Sequence, residues 1–317
     1  LVRSFLRLLT VNPGFDPRQI LTMEVDLSGQ AYSEIPGVTR FYDELLARVT
    51  SMPDIETVST STQLPLTRSI DRSSIMIEGR AYENPAAAPY GDRYAVRPPY
   101  FKVLGVPLLS GRYFTDADRT GALPVAIIGK TTAEELWPGE DPIGRRILIA
   151  GGPNNPLRTI VGVVGDVRHY GLDQPATRQV YVPHAQAIYP EPIASLVIRT
   201  RQGRDPLSLA PAVRDEIRAV DPLQAVTKIR TFEAIIAESM ATRRFTLVLL
   251  AVFAGTALLL AVVGLYGALS YVVGQRQREI GVRVALGAGR RDINRLIVRQ
   301  GMTPAAVGIA VGLGLSL

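Results

Sequence analysis

Residues 245–273, FTLVLLAVFAGTALLLAVVGLYGALSYVV, run for 29 positions without one charged side chain. At about 1.5 Å per residue a helix of that length crosses the ~30 Å hydrocarbon of a bilayer. The alternative is a buried core helix of a soluble protein, but such helices seldom run so far without a polar stripe. The segment therefore reads as a transmembrane helix. Gly255, Gly264 and Gly267 would let another helix approach closely, and Tyr266 and Tyr271 suit an interfacial end.

Orientation follows from the arginines. Between Arg276 and Arg299 there are seven, against two acids, Glu279 and Asp292. Short basic segments next to a span stay in the cytoplasm, so residues 274–302 are expected inside and the roughly 230 residues before the span outside. Arg243 and Arg244 oppose this weakly, because charge in long translocated regions counts for little. The overall charge of +6 is concentrated in the inner segment, and no aromatic-basic pattern accompanies it, so no nucleic-acid partner is expected. A chain with no cysteine is compatible with an oxidising compartment without requiring one.

Both ends read as parts of further membrane helices. Residues 303–317, TPAAVGIAVGLGLSL, are uncharged but too few to span. Residues 1–12 place leucines, Val2 and Phe5 around Arg3 and Arg7, as at the interfacial end of a helix, and lack a signal-peptide pattern.

The external region, 13–241, begins and ends alike. Leu21, Met23, Val25 and Leu27 alternate as in a half-buried strand, and Val38, Phe41, Tyr42, Leu45, Leu46, Val49 and Met52 repeat at helical spacing. A weaker strand follows at 55–61, giving β-α-β over about 19–63. A second β-α-β occupies about 194–231, with Asp205-Pro206 opening a helix that carries Leu209, Val213, Ile217 and Val220. Brought together, the halves form a split β-α-β, ferredoxin-like or porter-like layer. Between them, about 65–190, lie short β-prone runs (SIMIEG, RYAVRP, PVAIIG, RRILIAG, TIVGVVGDV, QVYVP) punctuated by Gly and Pro, which predict a β-rich insertion with exposed loops at PAAAP and GGPNNP. The expected class is an α+β extracytoplasmic domain attached to transmembrane α-helices.

Chemistry is scarce. PVAIIGKTTA, 124–133, carries Gly-Lys-Thr after an apolar run, but a phosphate loop needs a glycine where Pro124 stands. Proline supplies no N–H, so a strand-to-helix turn is the expected structure. Asp166 and His169, from the only pair of histidines with His184, lack a nucleophile or third ligand and read as a solvated turn. Asp116 and Asp118 read as a solvated loop, Glu134 and Glu135 as a helix first turn, and Arg158 and Arg168 as external loop residues. No catalytic, metal-binding or cofactor-binding set is expected, and no enzymatic activity.

The inner segment is more specific. RQREIGVRVALGAGRRDI, 276–293, resembles the signature of FtsX-like permeases. NPGFDP (12–17), LLSGRYF (108–114), LWPGEDPIG (136–144) and IVGVVGD (160–166) are similar to the MacB-like periplasmic core domain. The resemblance covers nearly the whole chain and identifies it with ABC-transporter permeases of the MacB/FtsX superfamily, of the type with duplicated units. It implies a bacterial inner-membrane location, four membrane helices per unit, a large periplasmic domain and a separate or fused ATP-binding cassette. Implied partners are that cassette, a second permease unit as dimer mate or duplicated half, and a periplasmic protein, with lipid around the spans.

From the residues, Gly287 and Gly289 permit a sharp turn between the span and an amphipathic run at Ile293, Leu296 and Ile297. The arginines there either dock a partner or only fix topology against anionic lipid. The resemblance implies docking of the ATPase, at Arg278, Glu279, Gly281, Gly287, Ala288, Arg290, Arg291 and Asp292. The implied function is efflux or mechanotransmission. A membrane-anchored sensor or binding domain without transport is the alternative; it would be expected to carry a signalling domain after the span.

Overall fold

The computed structural model describes residues 11–67, 71–149, 155–275, 282 and 308. The chain divides into two compact units, Leu1–Thr242 and Arg243–Leu317. In chain order the elements are β1 (Ile20–Asp26), α1 (Ile35–Thr50), β2 (Ile55–Ser61), β3 (Arg72–Ile77), β4 (Tyr90–Val96), α2 (Tyr100–Leu104), β5 (Leu108–Gly111), β6 (Val125–Gly129), α3 (Lys130–Leu136), β7 (Arg146–Ile149), β8 (Leu157–Val164), β9 (Gln179–Pro183), β10 (Ile193–Thr200), α4 (Ala210–Val220), β11 (Ala225–Thr231) and α5 (Phe232–Gln275).

Four strands of the first unit form an antiparallel layer in the order β11-β1-β10-β2. Its halves come from opposite ends of the unit, with Met23 opposite Leu196 and Leu21 opposite Ile198. Period-two alternation sends Leu21, Met23 and Val25 to one face, where α1 and α4 cover them with Phe41, Leu45, Val213 and Ile217. Each such fully buried side chain contributes roughly 1.5–3 kcal/mol. Pro36 in the first turn and an apolar stripe at three and four fix α1, and Pro53 follows its end. This is the split β-α-β arrangement the two sequence halves predicted.

The segment between the halves closes on itself. β4 pairs with β3, β3 with β7 and β7 with β8; β8 runs parallel to β6, β6 pairs with β9, and β9 returns parallel to β4. The six strands make a ring with β5 beside β8, and a closed ring leaves none of its own edges open to another chain. One cluster takes residues from all six strands, among them Ile75, Ala95, Ile128, Ile147, Ile160 and Val182, together with Leu136 at the end of α3 and Trp137 after it. The layer and ring are bridged by the Ser61–Val96 pair of β2 and β4. A further aromatic cluster of Phe15, Tyr94, Tyr100, Phe101 and Tyr181 also takes in Val197 of the layer and Phe232 and Ile235 of α5.

In the second unit, Val248–Ala268 of α5 has a mean hydropathy of 2.7 over 21 residues. Among the described residues it is the helix long and apolar enough to cross a membrane.

Candidate functional site

The Gly-Lys-Thr segment is the junction of β6 and α3, with Val125–Gly129 buried throughout as a strand. Its helix start already holds an anion. The Thr131 N–H donates to Asp166 Oδ1 at 2.9 Å and its hydroxyl to Oδ2 at 2.7 Å, so a side chain of this domain satisfies the end of the helix. A Cβ at Gly129 would lie 2.9 Å from Asp166 Oδ1, which explains the glycine. Lys130 is exposed and reaches Glu134 at 3.6 Å.

Several residues read as solvated are packed. His169 is buried and stacked on Tyr94 at 4.0 Å between centroids; burial depresses its pKa to about 3. Asp118 is buried, accepts from the Thr115 N–H at 2.8 Å and pairs with both Arg112 Nη atoms at 2.7 and 2.8 Å. Glu134 and Glu135 lie past the first turn of α3, with Glu135 paired to Arg178. Arg158 is on β8, not in a loop, buried and donating to the Gln186 carbonyl at 2.7 Å; burial pulls its pKa down to about 10. Arg168 is in a loop and bonds the Leu172 carbonyl at 3.1 Å. For His169, Glu135 and Arg158 the partner is remote in the sequence, whereas Asp118 and Arg168 are satisfied within six residues.

A large concavity lies in the first unit, between α1 and the ring segments 119–124 and 185–188. It encloses about 960 Å³ and continues into a second cavity of about 460 Å³; Thr39, Asp43, Thr120 and Ala185 line both. Ile35, Pro36, Pro124, Pro156 and Ile188 give the larger one apolar walls. At the floor Arg97 donates to Asp43 on α1 and, at 3.2 Å, to the Thr39 carbonyl, joining ring to layer. Burial lowers the Arg97 pKa, against which the Asp43 charge works. His184 packs edge-on against Tyr42 at 5.7 Å, and burial, followed by the Arg97 charge, depresses it to about 3, so it is neutral. No local pattern brings Arg97, Asp43 and His184 together; an arginine closing a strand ahead of Pro98-Pro99 is the available signal.

The base of α5 is the other constructed feature. Thr231 ends β11 and Phe232 begins the helix with no residue between, and the Thr231 hydroxyl accepts the Ala234 N–H at 3.2 Å. Phe232 and Ile235 are fully buried, and the Phe232 ring lies 4.7 Å from that of Phe15. The expected partner-coupling residues, Arg278 to Asp292, lie outside the described residues. Among the described residues no group of three or more His, Cys, Asp or Glu is placed to hold a metal.

Residues 5–220 match the family model of the MacB-like periplasmic core domain. The chain belongs to this family. Residues 251–317 match the FtsX-like permease C-terminal model, so the core domain and permease segment follow each other as the motifs implied. Among curated members, the pyoverdine export ATP-binding/permease protein PvdT of Pseudomonas putida is 29% identical over 230 residues, 68% of this chain and 33% of that protein. The macrolide export ATP-binding/permease protein MacB 2 of Aeromonas hydrophila is 28% identical over 224 residues, 69% of this chain and 33% of its own. The chain thus spans about a third of the length of the curated relatives it matches. Similar solved structures include the periplasmic region of MacB from Actinobacillus actinomycetemcomitans (TM-score 0.48, 13% identity, 74% of this chain and 98% of that one). The extracellular domain of the noncanonic ABC-type transporter YknZ from Gram-positive bacteria has a TM-score of 0.42 and 14% identity, covering 66% of this chain and all of that one.

Proposed function

We propose that the chain is the permease part of an ATP-driven machine in the bacterial inner membrane. A cytoplasmic ATP-binding cassette, as partner subunit or fused domain, hydrolyses ATP and moves α5. The external domain, residues 13–241, follows, and so exports a substrate or acts on a periplasmic partner. A second permease unit completes the membrane part. The chain itself performs no catalysis.

One observation carries this reading: α5 is a single helix whose first residues are buried in the external core and whose later residues form the candidate span. A helix is a short, stiff lever, whereas a Gly/Ser linker would absorb the displacement. The relatives named as export permeases support the direction. Residues 245–273 cross the membrane, and Arg278, Glu279, Gly281, Gly287, Ala288, Arg290, Arg291 and Asp292 form the surface that meets the cassette, the arginines setting orientation and encounter rate.

The test replaces Arg290 and Arg291 by Glu in the full-length permease. Co-purification with the cognate cassette and stimulation of its ATPase should fall, more at low salt than at high salt, where charge is screened in both proteins. Reversing the exposed external residues Arg145 and Arg218 should leave both unchanged. Wild-type binding and stimulation by the inner double mutant at low salt would reduce its arginines to topology markers.

A further inference from the structure

We propose that the cleft between α1 and the ring is a binding site for an amphipathic carboxylate. Its apolar body lies along the Ile35, Pro36, Pro124 and Ile188 walls, and its carboxylate replaces that of Asp43 on Arg97. This is independent of how the membrane part is driven.

Size is the first argument. About 960 Å³ with a 460 Å³ extension holds a molecule of several hundred daltons, in the range of small-molecule sites. Next in sequence to Pro124 of the wall, Leu123 is 67% exposed. An amphiphile covers surface of this kind, and a hydrophilic solute does not.

The floor supplies the polar half. Arg97 Nε and Thr39 Oγ1 are buried without a hydrogen-bond partner among the described residues, and both residues line the smaller cavity together with His184. Each unpaired buried group of this kind costs roughly 1–3 kcal/mol, so a ligand that bonds to both gains selectivity from the floor.

Charge chooses the anion. The Arg97 side chain is 7% exposed and that of its partner Asp43 62% exposed: a buried cation is held by a carboxylate that stands largely in water on the helix wall. Swapping that carboxylate for a ligand's leaves the buried charge compensated throughout. Elsewhere in the lining, Glu44 is paired with Arg48 and Asp118 with Arg112, each partner outside the cleft. Arg40 and Arg119, with no ion pair among the described residues, then stand against Asp116. A guanidinium fork matches a carboxylate in shape as well as in charge.

The test uses the full chain in lipid nanodiscs and three photoreactive probes with one ten-carbon diazirine body: the carboxylate, its methyl ester and the corresponding primary amine. After irradiation, peptides carrying Pro36 and Ala187 should be labelled by the carboxylate about tenfold more than by the ester or amine. Asp43→Asn, which removes the competing carboxylate, should raise that labelling further, a gain that a damaged fold would not give. Ala122→Trp, which fills the larger cavity, should reduce it to background while the thermal transition is retained. Equal labelling by carboxylate and ester in the unmodified protein overturns the proposal, as does unchanged or lower labelling in Asp43→Asn, or undiminished labelling in a folded Ala122→Trp protein. Because neither cassette nor ATP is present, these outcomes say nothing against the coupling mechanism, and loss of coupling says nothing against the site.

Discussion

Acidification from pH 7 to pH 5 should weaken the external domain through its two histidines. His169 and His184 are both buried, and burial holds each near a pKa of about 3 against an ordinary 6.5. Below pH 6.5 the unfolded chain takes up protons that the folded chain refuses, so stability falls with pH and goes on falling until the folded value near 3 is reached. The slope is about 1.4 kcal/mol per pH unit for each histidine, which amounts to roughly 2 kcal/mol each, or about 4 together, between pH 7 and pH 5. Carboxylates held low by hydrogen bonds and ion pairs, such as Asp16 and Asp118, act only at more acid pH. Glu191, raised by burial, works in the opposite sense, so 4 kcal/mol is an upper figure. Trp137, the single tryptophan, is buried beside the ring and reports its unfolding by fluorescence. The full chain in nanodiscs should melt several degrees lower at pH 5 than at pH 7. His169→Phe and His184→Asn should each remove about half of the pH dependence, though the cost of repacking lowers the transition at both pH values. A wild-type transition that does not move, or a slope unchanged in the double variant, would refute the assignment of these imidazoles as neutral and buried.

Phe232→Ala removes a fully buried ring from its contact with Phe15 and should destabilise the external domain by about 3–5 kcal/mol in denaturant unfolding followed at Trp137; a loss below about 1 kcal/mol would mean that the base of α5 is not anchored. Single cysteines at Asn154 and Arg290 of this cysteine-free chain should react oppositely with an impermeant thiol reagent on intact cells, and equal labelling would contradict the topology.

What could be read from the sequence and what could not divides along the range of the interactions. The alternation of Leu21, Met23 and Val25 and the helical spacing of Val38, Phe41, Leu45 and Val49 are local consequences of a face meeting a core, and they gave the elements of the layer directly. That β1 lies beside β10, some 170 residues later, depends on pairing that no local pattern encodes. The insertion behaves alike: PVAIIG and QVYVP are recognisable as strands, but closure of β9 onto β4 and β6 is a non-local fact. Charged side chains misled for the same reason. Asp166 reaches Thr131, and Arg158 the Gln186 carbonyl, across 35 and 28 residues. Asp118, only six residues from Arg112, could have been paired by inspection. The cleft was hidden because its walls come from α1 and from segments that begin about 70 residues further along the chain.

The junction of β11 and α5 bears on the choice between a moving domain and an anchored one. A domain that needs only to stay near the membrane is served by any polar tether, and flexible tethers cost little in stability. Here β11 passes into the helix without an intervening residue, a strand hydroxyl caps the first turn, Arg230 pairs with Glu238 one turn further on, and Phe232 and Ile235 enter the cluster shared by β4, β6, β9 and β10. These residues tie the first turn of the helix to the packed aromatic centre of the first unit, where layer and ring adjoin, and the cleft lies between those same two parts. Close-packed interiors transmit displacement with little compliance. A simple tether needs no such packing, and this is the physical support for the proposed reading, in which motion is transmitted to the external domain rather than the domain being merely anchored.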